Sequence, residues 1–258
     1  MSLQLFNLSR RVAVVMGGTS GIGRALALGL AEAGADVVST GRRTALVNEV
    51  SDEIQNLGRR TLRHPVDTSS RKSVDALCDA VLQNFGRVDI LLNSAGQNFR
   101  KPTDTVTEDE WNGIMDVNVT GMLRACQSFY EPLLASTRGR IINIASLTSF
   151  VGFFEITPYA ASKSAVLGLT RNLAIEWAHK GINVNAIAPG VFRTDLNAGL
   201  LDGTDRGREL LVRTPMKRFG NVQELVGVAI LLASDASSFI TGQCIAVDGG
   251  FLASGVNC

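Results

Sequence analysis

The sequence is poor in the residues that most metal and hydrolase sites need. It has two histidines, His64 and His179, and four cysteines, Cys78, Cys126, Cys244 and Cys258, with no CxxC pair among them. A histidine cluster is thereby excluded, and the cysteine spacing suits neither a zinc site nor a disulfide framework. A Ser-His-Asp hydrolase would have to use one of the two histidines. His64 precedes Pro65 at a strand end and His179 stands near a helix end, positions that suit solvated or capping side chains. No metal is expected. Charge of one sign is also missing. The 25 Lys and Arg balance 24 Asp and Glu, for a net charge of +1, which leaves no surplus to hold a nucleic-acid backbone or an anionic membrane. No stretch stays apolar for the length of a membrane span, and residues 1–10 lack the features of a secretion signal. The expectation is a cytoplasmic protein with reduced thiols, and with neither nucleic acid nor membrane as partner.

What is there is a globular balance, 45% hydrophobic and 19% charged over 258 residues, a length that suits one domain spanning 1–258. Short aliphatic runs at Val12–Met16, Asp36–Thr40, Arg60–His64, Val88–Leu92, Arg140–Ala145, Asn183–Ala188 and Gln243–Val247 read as seven strands. Helix-length segments lie between them, at Gly21–Ala33, Arg43–Leu57, Ser69–Phe85, Glu108–Ala135, Pro158–Lys180 and Val222–Ser234. This alternation predicts an α/β fold, a doubly wound, mainly parallel seven-stranded sheet with helices on both faces. Continuous apolar runs such as Ile141-Ile142-Asn143-Ile144 fit a sheet covered on both sides. The long irregular stretch Pro189–Gly220 reads as a lid over a ligand.

Gly17-Gly18-Thr19-Ser20-Gly21-Ile22-Gly23 follows the first strand and opens a helix. Glycines there let the backbone approach a pyrophosphate at the positive helix end. The second strand runs out into Ser39-Thr40-Gly41-Arg42-Arg43, with no acid to receive a ribose 2′-hydroxyl. Two arginines at a helix start oppose its dipole, and a 2′-phosphate would account for them, so NADP(H) is expected in preference to NAD(H). Two solvated surface arginines are the alternative. Asp67, Asn93, Ala95 and Gly96 follow later strands at the carboxyl edge, where open α/β sheets bind ligands. A plain helix cap is nearly as good a reading of Asp67.

Tyr159 and Lys163 stand at i and i+4 on one predicted helix, so both reach one face, and a nearby ammonium would draw a phenol toward the working range of an acid–base catalyst. Ser146 leaves the strand Ile141–Ala145 at the same sheet edge, placed to hold a substrate oxygen. Asn118 lies inside a helix pattern, where its side chain or a disturbed carbonyl can anchor a water leading to Lys163. Taken singly, each has a plain structural alternative.

Taken together and in this order, Asn118, Ser146, Tyr159 and Lys163 resemble the catalytic tetrad of the short-chain dehydrogenase/reductase family, and Gly17, Gly21 and Gly23 resemble its TGxxxGxG loop. The resemblance covers essentially the whole chain. Met16 and Ser94 depart from the pattern, at positions that bear on a hydrogen bond between the first and fourth strand loops. The resemblance implies that Asp67 contacts the adenine, that Asn93, Ala95 and Gly96 support the nucleotide, and that Pro189, Gly190, Val191 and Thr194 hold the nicotinamide carboxamide. Tyr159 and Lys163 would share in cofactor binding. It also implies a homotetramer, with the helices Glu108–Ala135 and Pro158–Lys180 as candidate subunit faces.

The implied activity is an NAD(P)-dependent interconversion of a secondary alcohol and a ketone on a small molecule. Within the family, Ile141–Ser149, Asn183–Gly190 and Val247–Asn257 look like gluconate 5-dehydrogenase and 2-deoxygluconate 3-dehydrogenase relatives, which implies a sugar acid or polyol. Gln97, Asn98, Arg100, Glu155, Thr157 and Arg193 are candidate polar contacts, with arginine able to grip a carboxylate. Phe99, Phe153 and Phe154 suit an acyl chain equally, so 3-oxoacyl-[acyl-carrier-protein] reduction is an alternative, with Arg138 and Arg140 as a local patch for an acidic carrier. A non-catalytic NADP-binding sensor is the second alternative.

Overall fold

In the computed structural model, which describes residues 2–194 and 197–255, all strands are parallel. Cys258 lies outside the described residues. The strands are β1 (Val12–Met16), β2 (Asp36–Thr40), β3 (Ile90–Asn93), β4 (Arg140–Ile144), β5 (Asn183–Pro189) and β6 (Cys244–Val247), in the spatial order β2-β1-β3-β4-β5-β6. The helices are α1 (Gly21–Glu32), α2 (Thr44–Asn56), α3 (Arg71–Phe85), α4 (Glu108–Met115), α5 (Gly121–Ser128), α6 (Tyr130–Ala135), α7 (Thr157–Trp177), α8 (Ala198–Leu201), α9 (Asp205–Arg213) and α10 (Val226–Ala233).

The two-residue period of a strand divides the core. Val12, Val14 and Met16 of β1 pack with α3, α5 and α7 on one face, while Ala13 and Val15 pack with α1, α2 and α10 on the other. The register pairs Met16 with both Thr40 and Asn93, Asn143 with Asn93, and Pro189 with Val247. All carboxyl ends therefore open along one edge. Chain order reverses between β1 and β3, which puts a ligand crevice beyond those two strand ends.

The sheet has six strands where seven are expected. Arg60–His64 runs beside β2 but forms no regular ladder: Val37 N–H donates to the Arg60 carbonyl and Val66 N–H to Gly41, both at 3.0 Å. Between them Pro65 has no N–H to give, and the Thr40 hydroxyl takes the His64 carbonyl at 2.5 Å. The expected helix Glu108–Ala135 is also divided. A π-helical turn, Asp116–Thr120, separates α4 from α5, and Pro132 explains the break before α6. Pro132 cannot bond the Ser128 carbonyl, which accepts the Cys78 thiol instead, at 3.2 Å. The stretch Pro189–Gly220 carries two short helices, α8 and α9. Among the described residues no helix is long and apolar enough to cross a membrane, and no three His, Cys, Asp or Glu side chains are grouped to hold a metal ion.

Candidate active site

The loop after β1 is built by close approach. Gly17 adopts φ +75°, and a Cβ on it would lie 2.6 Å from the Ala95 backbone. A Cβ on Gly23 would lie 2.1 Å from the Gly17 carbonyl oxygen. The Ser39 hydroxyl donates to the Gly18 carbonyl at 2.7 Å, pinning the loop to β2. Thr19 is buried, Ile22 is half-buried, and Ser20, the N-cap of α1, makes no side-chain cap, so the first N–H groups of the helix face the crevice without that partner. Gly21 follows with φ +50°, and the Thr194 methyl overhangs it, 3.7 Å from where a Cβ would sit. Such a cradle fits a pyrophosphate. Because the Gly23 clash is with backbone, Gly23→Ala must displace the loop, a penalty of about 1–3 kcal/mol. NADPH affinity measured by fluorescence titration should then fall roughly 5- to 150-fold.

Met16 and Ser94 do not unlink the two loops: the Ser94 N–H donates to the Met16 carbonyl at 2.9 Å. Arg42 and Arg43 are both exposed beyond β2. Arg43 reaches the Ser20 hydroxyl at 3.3 Å, and among the described residues neither arginine has a carboxylate within ion-pair distance. Asp67 is not the cap of α3, which is Ser70. Its carboxylate accepts the Ser69 hydroxyl (2.7 Å) and N–H (3.0 Å), and these bonds hold its pKa below the ordinary value. The Asn93 side chain points into the protein. Its amide donates to Asn143 Oδ1 (2.9 Å), whose own amide donates to Thr170 (3.0 Å). Asn93 therefore ties β3, β4 and α7 together, while Ala95 and Gly96 line the crevice. A Cβ on Gly96 would sit 3.4 Å from Asn118 Oδ1 and 3.7 Å from Lys163 Nζ.

Lys163 is 4% exposed, and its ammonium donates to the Ile144 carbonyl at 2.7 Å. Burial pushes its pKa down to about 8. Nζ stands 5.6 Å from the centre of the Tyr159 ring. Burial raises the Tyr159 phenol, opposed by hydrogen bonding to Ser146. The phenol is thus raised, and the lysine ammonium spends one hydrogen bond on a backbone carbonyl. The Ser146 hydroxyl accepts from Thr148 N–H (3.2 Å), which orients it at the end of β4. Asn118 is fully buried. It exchanges bonds with the Gln97 backbone (2.8 and 3.0 Å) and donates to Ser162 (3.0 Å), whose hydroxyl bonds the Tyr159 carbonyl at 2.7 Å. Ser149 meanwhile donates to the Lys163 carbonyl at 2.6 Å. Ser149 and Ser162 fix the first turns of α7 and are new to the site, while Gln97, expected as a substrate contact, braces Asn118 through its backbone. Only Ser162, between Tyr159 and Lys163, carries a positional hint.

On the far side, Gly190 packs against β6, where a Cβ would be 2.5 Å from Asp248 Cα. Buried Pro189 ends β5, half-buried Val191 accepts the Gly220 N–H at 2.9 Å, and Thr194 N–H donates to Asn197 Oδ1 at 2.8 Å. The candidate substrate contacts divide. Arg193 forks onto Asp202 (2.6 and 3.0 Å), the Gln97 amide bonds the Gly113 carbonyl (2.8 Å), and Thr157 meets Thr103 (2.6 Å). Arg100 pairs with Glu155 at 2.6 Å. Asn98 is exposed and Phe154 is 74% exposed, while Phe153 packs on Phe251 with ring centres 5.9 Å apart. Arg140 is buried at the opposite, amino edge of the sheet and offers no surface patch.

The crevice thus joins a glycine cradle, an uncapped helix start, and a buried lysine beside a phenol and a serine hydroxyl. It can bind a dinucleotide and pass a proton to or from an oxygen held beside it. A family model described as Enoyl-(Acyl carrier protein) reductase matches residues 17–252. The chain is 42% identical over 254 residues to a 2-dehydro-3-deoxy-D-gluconate 5-dehydrogenase of Dickeya dadantii, covering 98% of this chain and 100% of the relative. It is 36% identical over 250 residues to a gluconate 5-dehydrogenase of Gluconobacter oxydans, covering 97% and 98%. A gluconate 5-dehydrogenase from Burkholderia cenocepacia, solved in complex with NADP and tartrate, superposes with a TM-score of 0.94 at 38% identity, over 99% of this chain and 100% of that one. The fold, the cradle and these likenesses agree: the chain belongs to the short-chain dehydrogenase/reductase family, oxidoreductases acting on CH–OH groups.

Proposed function

We propose that the chain is a cytoplasmic NADP(H)-dependent oxidoreductase, one catalytic domain over 1–258, that interconverts a ketone and a secondary alcohol on a sugar acid or polyol. The observation that carries the reading is the nearness of Ser146, Tyr159 and Lys163 to one another beside Gly96. The relatives named as gluconate and deoxygluconate dehydrogenases, and the neighbour solved with NADP and tartrate, support it. Bound in the crevice, the nicotinamide supplies or accepts the hydride.

Ser146 holds the carbonyl oxygen, and Tyr159 gives it a proton in reduction or takes one in oxidation. A phenol raised by burial keeps its proton at neutral pH, the state that ketone reduction needs. Lys163, with a pKa of about 8, replenishes that proton from the side facing Asn118. Gly96, Ala95, Asp67, Pro189, Gly190, Val191 and Thr194 would line the cofactor from adenine to carboxamide. NADPH consumption with 5-keto-D-gluconate, repeated with NADH, tests the reading.

Arg42 and Arg43 would select the 2′-phosphate. Charge-assisted hydrogen bonds contribute about 1.5–3 kcal/mol, so replacing both with alanine should raise KM for NADPH roughly 10- to 100-fold and leave KM for NADH unchanged. An equal effect on both cofactors would remove that role. Exposed Phe150 and Phe154 favour acyl reduction as a second reading. Acetoacetyl thioesters in the same assay separate the two.

The same proposal includes a homotetramer. Ile175 on α7 is 78% exposed and Phe239 is fully exposed, and β6 is an edge strand that leaves its residues only partly covered. Light scattering should report four chains.

A further inference from the structure

The π turn that divides the expected helix Glu108–Ala135 has its own fastening. In Asp116–Thr120 the Gly121 N–H donates to the Asp116 carbonyl, five residues back, in place of the α-helical bond. Such a turn takes in one residue more than the α-helix on either side of it, and it is a form frequent at functional sites. Asn118 lies at its middle, fully buried, with its amide spanning the Gln97 backbone and the Ser162 hydroxyl.

One side chain bridges the turn from outside. Arg124 of α5 donates from Nη2 to the Asp116 carboxylate at 2.7 Å and from Nη1 to the Thr68 carbonyl at 3.2 Å. Its side chain is only 18% exposed. The spacing decides what the pair does. Residues eight apart in a continuous α-helix stand about 80° apart around the axis, on different faces. One residue absorbed by the π turn returns them to the alignment of residues seven apart, within about 20°. Long side chains on a helix also lean toward its amino end, the direction in which Asp116 lies. The ion pair is therefore matched to the π register and mismatched to the α register. Gly121 adds a second restraint: a Cβ there would lie 3.1 Å from Thr68 Cβ, so the start of α5 rests directly on the loop that Arg124 grips.

We propose that Asp116 and Arg124 are positioning residues, an ion-pair clamp that holds the π turn in register and so keeps the Asn118 amide on Gln97 and Ser162. This rests on the reading given above, in which Lys163 renews its proton from the side facing Asn118. Without the clamp the helix relaxes by one residue, which carries Asn118 off both partners while the glycine cradle and Tyr159 stay in place. Asp116 is the informative residue to change. Arg124 also touches the loop that carries Asp67, so its loss would mix two effects.

The test measures kcat with 5-keto-D-gluconate and NADPH, and hydrogen–deuterium exchange at the Gln97 backbone N–H. It compares the wild type, Asp116→Ala, Asp116→Asn, Asn118→Ala and the double variant Asp116→Ala/Asn118→Ala. Asp116→Ala should lower kcat roughly 10- to 100-fold, the cost of a small misplacement, with KM for NADPH unchanged. The Gln97 N–H, which donates to Asn118 Oδ1 at 2.8 Å, should exchange roughly 2- to 10-fold faster, the equivalent of one hydrogen bond. Asp116→Asn keeps an acceptor oxygen and should lose less. The double variant should be no slower than Asn118→Ala, because the clamp acts through that side chain, whereas an independent structural loss would multiply with it. NADPH affinity reports whether each variant is folded. Wild-type kcat or unchanged Gln97 exchange in Asp116→Ala overturns the inference, and so does a double variant whose losses multiply. A wild type inactive on 5-keto-D-gluconate overturns the sugar-acid reading instead, and the exchange measurement, which needs no substrate, still decides the clamp.

Discussion

Replacing Tyr159 with phenylalanine is expected to lower kcat by about 10²- to 10⁴-fold, the range a positioned acid–base group supplies, while NADPH affinity stays within about twofold. The aromatic ring remains, and only the proton donor goes. Lys163 cannot substitute for it, because its ammonium is held on the Ile144 carbonyl at 2.7 Å and stands 5.6 Å from the centre of the ring. The pH dependence has a definite sign. With the phenol raised by burial, alcohol oxidation, which needs it deprotonated, should speed up as pH rises, whereas ketone reduction should not. Both trends should vanish from the residual activity of the variant. Near-wild-type turnover by Tyr159→Phe in stopped-flow assays would exclude Tyr159 as the acid.

A comparably large effect on stability is expected far from the crevice, at the amino edge of the sheet. Arg11, just before β1, and Arg140, the first residue of β4, are each 4% exposed. Arg11 bonds Asp235 at 2.5 Å and the Ala233 carbonyl at 2.9 Å; Arg140 lies 3.8 Å and Arg138 3.4 Å from the same carboxylate. One acid thus answers three guanidiniums. Burial raises the Asp235 pKa, and the Arg11 hydrogen bond together with the charges of Arg11, Arg138 and Arg140 outweighs it, for a net lowering.

Breaking a buried pair from one side costs about 3–5 kcal/mol, and Asp235 is itself 36% exposed, so Asp235→Ala should cost about 2–4 kcal/mol. For a chain of this size that lowers Tm by roughly 5–15 °C. A depressed folded-state pKa gives stability that is present above the unfolded-state value and lost as pH falls through the folded one. The wild type should therefore lose this contribution only below about pH 4, and the variant should lack that part of the acid dependence. Asp52→Ala, which breaks the exposed pair with Arg63, is the control and should change stability by less than about 1 kcal/mol. Equal melting shifts for the two variants would refute the account of the cluster.

The parallel order of the sheet and the place of the crevice were legible because buried strands leave continuous apolar runs and glycine spacing marks the phosphate loop. Tyr159, Lys163 and Ser146 were proposed from an i, i+4 spacing, a strand end and the family resemblance, and the structure brings Lys163 Nζ to 5.6 Å from the centre of the Tyr159 ring. Arg60–His64 was not, because its composition suits a strand and only Pro65 and the Thr40 hydroxyl, seen in place, explain the missing ladder. The apolar period of Glu108–Ala135 continues straight through the π-helical turn at Asp116–Thr120, so the division escaped notice. Arg193 reads in the sequence as a free cation beside the site, yet Asp202 has it. The cluster around Asp235 joins residues from both ends of the chain, a pairing that only tertiary packing creates.

In the proposed reaction hydride passes from the cofactor to a keto carbon of a sugar acid, with Tyr159 as proton donor. Its most direct test is NADPH deuterated at the transferable C4 position, incubated with 5-keto-D-gluconate and wild-type or Tyr159→Phe protein, with the product followed by NMR. The account predicts one deuterium on the former carbonyl carbon from the wild type and almost none from the variant in the same time. Deuterium retained on the bound cofactor with the wild type, or equal product from both proteins, would contradict it.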